Sequence, residues 1–132
     1  MKKIEHLGIA VGDLEAGNEL FTKLLNRKPY KEEKVVSEGV TTSFFRVGDS
    51  QVELLEASDS MSPIARFIEK RGSGIHHLAF YTDNIYDEME RLKQEGFQLL
   101  SDAPKPGADG KLICFLHPKS TGGVLIELCQ DA

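Results

Sequence analysis

Residues 74–83, GIHHLAFYTD, decide the fold, because they repeat the beginning of the chain at residues 3–13, KIEHLGIAVGD. In this alignment His77 falls on His6, 71 residues further along a chain of 132 residues. An offset of a little over half the chain is what an internal duplication produces. The sequence therefore predicts two similar modules, and the question is whether the repeated histidine serves structure or chemistry.

Each half of the sequence predicts the same order of elements, β-α-β-β-β. Apolar residues at period two or period 3.6, bounded by Gly, Pro or Asp, define these segments. In the first half, the predicted strands are 3–11, 31–38, 39–47 and 51–56, and the helix is 14–25. In the second half, the predicted strands are 75–82, 97–100, 112–116 and 124–130, and the helix is 85–95. Asp13, Ser62 and Asn84 are the expected helix N-caps, with Pro63 at the first position of a linker helix.

These elements predict the α+β class, with two tandem βαβββ modules forming a cupped mixed sheet. We expect a single domain over residues 1–132, with module 1 at about 1–57, a linker helix at about 58–73 and module 2 at about 74–132.

Composition restricts the partners that we expect. The net charge of -5 offers no basic stripe for nucleic acid. No segment is apolar over enough residues to span a bilayer or to serve as a signal peptide. The two cysteines, Cys114 and Cys129, are too few for a disulfide framework, so we expect a cytoplasmic protein.

Four ionisable side chains occupy repeated strand positions. His6 and His77 lie in the first predicted strand of each half, and Glu53 and Glu127, 74 residues apart, lie in the last. Because side chains alternate between the two faces of a strand, all four lie opposite the apolar residues that are expected to pack under the helices. In a cupped sheet, the four side chains are expected to converge in its hollow.

Two imidazoles and two carboxylates form a donor set suited to a divalent metal ion, and Co²⁺, Ni²⁺, Mn²⁺ and Zn²⁺ are all conceivable. Taken singly, a strand histidine is usually a hydrogen-bonded structural residue and a strand glutamate is usually solvated. The repeated positions on matched faces favour the metal site, since a buried carboxylate needs a cation or neutralisation.

The remaining candidate residues favour structural roles. His76 has the opposite strand parity from His77, and His117 lies in a turn. Cys114 and Cys129 are expected to be apolar fillers. The lysines of the last loops either meet an anionic ligand or are simply solvated: Lys105, Lys111 and Lys119. No phosphate-binding loop or dinucleotide fingerprint is present.

Three segments resemble a known family: HLGIAV (6–11), GIHHLAF (74–80) and FLHPKSTGGVLIELCQ (115–130). Together with their spacing, they resemble the vicinal oxygen chelate (glyoxalase/bleomycin resistance) superfamily and, within it, the methylmalonyl-CoA epimerases. The third segment is the most specific of the three, and the resemblance spans nearly the whole chain.

The resemblance implies that His6, His77 and Glu127 are metal ligands. The fourth ligand position, a Gln in some family members, is Glu53 here, and its extra negative charge is expected to hold the metal more tightly. Some members have a Glu as a proposed proton-transfer group in the third strand, where this chain has Thr42. A threonine is a poor base, so that role does not transfer.

The activity implied by the resemblance is epimerisation of methylmalonyl-CoA at the acyl α-carbon through an enediolate. Glu127 is expected to be one proton-transfer group, and the second group is left open between Glu53 and a water. We expect a CoA thioester substrate and a homodimer. The alternatives are glyoxalase I, which the same four ligands serve, and a non-catalytic binding protein.

Overall fold

The computed structural model describes residues 1–132 and contains eight strands and three helices. The strands are β1 (Lys3–Ala10), β2 (Lys31–Val35), β3 (Val40–Val47), β4 (Ser50–Ala57), β5 (Gly74–Tyr81), β6 (Lys105–Pro106), β7 (Lys111–Leu116) and β8 (Ile126–Asp131). The helices are α1 (Leu14–Leu25), α2 (Pro63–Arg71) and α3 (Ile85–Gln94). None of these helices has both the length and the apolar character needed to cross a bilayer.

The chain divides into two compact units. The first unit is His6–His76, and the second unit combines Met1–Glu5 with His77–Ala132. The predicted α+β class with repeated βαβββ order is confirmed. The predicted organisation as one domain with three segments stays a prediction.

In the first unit the strand order is β2-β3-β4-β1. The β2–β3 and β3–β4 pairs are antiparallel, whereas β4 and β1 are parallel. Helix α1 packs on one face of this sheet, over a core that includes Val11, Leu14, Phe45 and Leu54. The opposite face is therefore available to the polar side chains of alternate strand positions.

The second unit repeats this arrangement with the order β5-β8-β7-β6. The β5–β8 pair is parallel, and β7 pairs antiparallel with both β8 and β6. Helix α3 contributes Ile85, Met89 and Leu92 to the core, which also contains Cys114, Leu116 and Leu128. As in the first unit, one sheet face is filled by helix packing and the other is not.

All three helices begin at the predicted caps. The side chains of Asp13, Ser62 and Asn84 accept hydrogen bonds from backbone N–H groups of the first turns, at 3.2, 3.1 and 3.1 Å respectively. These bonds satisfy donors that have no partner within the helix. The caps therefore fix where each helix starts.

The predicted strand at 97–100 is wrong. Only Leu99 forms a bridge, with Leu116, and the strand next to β7 is instead Lys105–Pro106. Phe97 and Leu99 pack against the α3 core. The apolar character of this segment therefore reflects packing under a helix, which a short apolar run does not distinguish from strand pairing.

The predicted strand at 31–38 is shorter than expected. It ends at Val35, and Val36–Glu38 form a 3₁₀ turn that closes on Gly39 in the left-handed region, with φ of 66°. The following strand begins at Val40. This turn fixes the register between β2 and β3.

We predict that Gly39→Ala destabilises the protein more than Gly110→Ala. The two glycines lie 71 residues apart, and each has a φ of 66°. A Cβ added at Gly39 would lie 2.7 Å from Ser62 Cβ, whereas a Cβ added at Gly110 would have no atom within 4 Å. Backbone strain alone costs about 1 kcal/mol, and the overlap adds about 1–3 kcal/mol. Urea unfolding of the two variants measures the difference, and equal losses would contradict this reading of Gly39.

Candidate functional site

His6 and Glu53 form a buried pair in the first unit. The parallel register aligns Gly8 with Glu53 and His6 with Gln51, so the two ionisable side chains lie diagonally on the face opposite the α1 core. His6 Nδ1 lies 3.1 Å from Glu53 Oε2, and the side chains are only 6% and 8% exposed. One imidazole nitrogen and one carboxylate oxygen are thus held together out of water.

His77 and Glu127 form the corresponding buried pair in the second unit. The β5–β8 register aligns Ala79 with Glu127, again placing both side chains on the face away from the helix. His77 Nε2 lies 3.2 Å from Glu127 Oε1. The ring of Phe115 packs edge-on against His77, with 5.7 Å between ring centroids.

The surroundings of the two pairs are duplicated as well. Phe44 is the cross-strand partner of Glu53, and Phe115 is the cross-strand partner of Glu127. Each carboxylate therefore lies beside an aromatic ring and an imidazole on a sheet face. The chemistry of the donors fits a divalent cation, since an anionic oxygen held in a dry site requires a compensating positive charge.

The comparison with known proteins identifies the family. A model described as the Glyoxalase/Bleomycin resistance protein/Dioxygenase superfamily matches residues 5–115, most of the chain. The chain belongs to this superfamily. The family predicted from the sequence is therefore confirmed.

Relatives within the glyoxalase superfamily align over nearly the full length. The ethylmalonyl-CoA/methylmalonyl-CoA epimerase of Cereibacter sphaeroides is 38% identical over 97% of this chain and 97% of its own. The uncharacterized protein YqjC of Bacillus subtilis is 35% identical over 98% of this chain and 93% of its own.

The solved structures extend this likeness to the fold. A variant of the Streptomyces coelicolor methylmalonyl-CoA epimerase, solved in complex with 2-nitronate-propionyl-CoA, is 32% identical and has a TM-score of 0.97. The match covers 100% of this chain and 96% of that chain. The predicted fold of the superfamily is thereby confirmed.

A cluster of aromatic and cationic side chains next to the His6–Glu53 pair was not predicted from the sequence. The Tyr30 hydroxyl donates to Gln51 Oε1 at 3.0 Å, and its ring lies 5.8 Å from the ring of Phe44. The guanidinium of Arg46 lies 4.8 Å from the Tyr30 ring. Strand parity places Gln51 on the Glu53 face, but Tyr30 precedes β2 and no local pattern indicates where its side chain goes.

The two other histidines have structural contacts. His76 packs edge-on against Phe67 of α2, with 5.1 Å between ring centroids, as its strand parity predicts. His117 Nδ1 accepts from the Lys119 N–H at 3.0 Å and caps a 3₁₀ turn. Both therefore contribute to local structure.

Of the three loop lysines, Lys111 has a defined ionic partner. Its Nζ lies 2.7 Å from Asp131 Oδ1. Burial disfavours the ammonium, but the hydrogen bond and charge of Asp131 outweigh it and raise the pKa of Lys111. This ion pair joins β7 to the end of β8, which favours a structural role for Lys111.

We predict that neither cysteine reacts readily with a thiol reagent in the folded protein. Burial raises the pKa of the Cys114 thiol, which disfavours the reactive thiolate, and both cysteines are fully buried. Titration with Ellman's reagent at pH 8 should detect both thiols only after denaturation. Rapid labelling of the native protein would contradict the apolar-filler assignment.

Proposed function

We propose that the protein is a metal-dependent methylmalonyl-CoA epimerase, interconverting the R and S configurations at the acyl α-carbon. The observation that carries this proposal is the buried His/Glu pair of each unit, His6 with Glu53 and His77 with Glu127. Epimerase relatives that match nearly the whole chain support the choice of substrate.

In this proposal, His6, Glu53, His77 and Glu127 hold one divalent ion, with Co²⁺ favoured. The bound ion would supply a Lewis acid that stabilises negative charge developing on the substrate oxygens. The imidazole nitrogens and the carboxylate oxygens provide donors of mixed hardness, which suit a first-row divalent ion.

Glu127 is the proposed proton-transfer group for one face of the substrate. It is held by its β5–β8 register and by His77, so its carboxylate has a fixed direction. Removal of the α-proton leaves an electron pair that delocalises into the thioester carbonyl, and a proton returned to the opposite face inverts the centre. The expected homodimer and cytoplasmic location stay predictions.

We predict that the protein with Co²⁺ epimerises either isomer of methylmalonyl-CoA in D₂O and incorporates deuterium at the α-carbon. His77→Ala should lower kcat/KM at least about 100-fold, because it removes a proposed ligand. The matched control is His76→Ala, which removes the neighbouring imidazole from the helix side of the strand. Mass spectrometry and chiral analysis give the readouts.

Metal-loaded wild-type protein that neither exchanges nor epimerises would contradict the proposal. The hemithioacetal of glutathione and methylglyoxal is assayed in parallel, since a probable lactoylglutathione lyase of Vibrio cholerae is 27% identical over 98% of this chain. Preferential turnover of that substrate would replace the epimerase with glyoxalase I.

We predict that Glu53→Gln weakens Co²⁺ binding by about 10-fold or more while the fold is kept. The amide preserves the shape and the oxygen donor of the side chain but removes its charge. Calorimetric titration measures the Kd, and circular dichroism checks folding. An unchanged Kd would contradict the expectation that the negative charge of Glu53 strengthens metal binding.

A further inference from the structure

We propose that the outer face of α1 is a dimer interface, on which a second copy of this chain docks through Leu20 and Leu24. These leucines are 62% and 68% exposed. They are four residues apart on the helix and therefore lie one above the other on a single stripe. Adjacent exposed leucines beside an apolar cavity form a continuous apolar patch, and such patches mark interaction sites on soluble proteins.

A cavity of about 510 Å³ lies along this stripe, and its walls belong entirely to the unit His6–His76. Apolar and small residues near the end of β1 and on α1 form most of the walls: Ile9, Val11, Ala16, Gly17, Leu20 and Phe21. We call this cavity the α1 groove. Leu24 follows one turn later on α1 and projects beside the groove, so one helix face carries both a hollow and a protrusion.

A two-fold contact suits a face of this kind. In a two-fold dimer the same patch meets itself, so its protrusion must fit its own hollow. When two α1 helices pack antiparallel with Leu20 at the two-fold axis, Leu24 of each copy faces Ala16 of the other and lies over its groove. A small ligand in the groove would leave Leu24 exposed, whereas a second copy covers both features at once.

The charges along α1 favour antiparallel packing. Acidic side chains precede Leu20 and basic side chains follow it: Asp13, Glu15 and Glu19 before, Lys23, Arg27 and Lys28 after. Antiparallel copies place the acidic half of one helix beside the basic end of the other, whereas parallel copies would bring like charges together. The two helix dipoles also oppose each other in the antiparallel arrangement.

The repeat-related helix α3 lacks the apolar stripe. At the offset of 71 residues, the positions of Ala16, Leu20 and Leu24 carry charges: Asp87, Arg91 and Glu95. On α3, Arg91 forms a surface ion pair with the neighbouring Glu88. The duplicated helix therefore packs on its sheet without leucines at these positions. Packing within one chain does not explain the leucines of α1, and contact with a second copy does.

The proposed interface leaves the first His/Glu pair open. Helix α1 packs on one face of its sheet, and His6 and Glu53 lie on the opposite face. Docking through α1 therefore requires neither the metal nor a substrate. The dimer is independent of the proposed epimerase function.

The first test is the oligomeric state of the full chain, measured by sedimentation equilibrium without metal or substrate. Wild type should be a dimer at micromolar concentrations. Leu24→Glu should raise the dimer Kd at least about 30-fold, because it places an uncompensated charge over the apolar groove. The control is Tyr86→Glu, which changes a 60% exposed residue of α3 and should leave the dimer intact. Circular dichroism checks that both variants keep their helices.

Cross-linking tests how the two helices are arranged. A side chain at the two-fold axis lies close to its own copy, so a short bis-maleimide should join Leu20→Cys into covalent dimers. Tyr86→Cys is the matched control on α3 and should stay uncross-linked. Cys114 and Cys129 are fully buried and give little background.

A monomeric wild-type protein would overturn the proposal and leave the α1 groove to another kind of ligand. The proposal also fails when the dimer survives Leu24→Glu, is weakened equally by Tyr86→Glu, or does not cross-link through Leu20→Cys. None of these measurements involves methylmalonyl-CoA. Failure of the interface and failure of the epimerase function are therefore distinguishable.

Discussion

The burial of a carboxylate against an imidazole, once in each unit, is the constraint on which the rest of this structure depends. Removing an ionised carboxylate from water costs several kcal/mol unless a partner compensates. Glu53 and Glu127 are nevertheless less than a tenth exposed, and each meets a histidine nitrogen within 3.3 Å. Helix packing fills one face of each sheet, and the opposite face carries each His/Glu pair among buried apolar neighbours, which include Phe44 in the first unit and Ala79, Ile113 and Cys129 in the second.

The two halves match more closely around Glu53 and Glu127 than they do in the lengths of their outer strands. Each glutamate has a phenylalanine as its cross-strand partner, at Phe44 and Phe115. The outer strands, by contrast, differ in length: β2 has five residues and β6 has two. The longer β2 brings the Lys31–Glu33 ion pair onto the polar face of the first unit, and β6 offers no glutamate in its place.

This asymmetry matters for chemistry that must treat two faces of one carbon. Two identical half-sites provide ligands symmetrically, whereas inversion at a carbon needs groups on opposite sides of it. In the proposed epimerase, the ligand pairs come from the repeated positions.

The sequence by itself determined the repeat, the strand parity of the four ionisable residues and the helix starts at Asp13, Ser62 and Asn84. Those features are local, since period-two alternation and side-chain caps involve residues only a few positions apart. Register is not local, so only the tertiary structure decided that Glu33 lies opposite Thr42 and that Tyr30 reaches Gln51. The wrong prediction of a strand at 97–100 has the same cause. The short apolar run indicated a strand, but only Leu99 forms a bridge, and the segment packs against the α3 core. Hydrogen-bond partners across a sheet are chosen by the packing of the whole unit, which no short segment encodes.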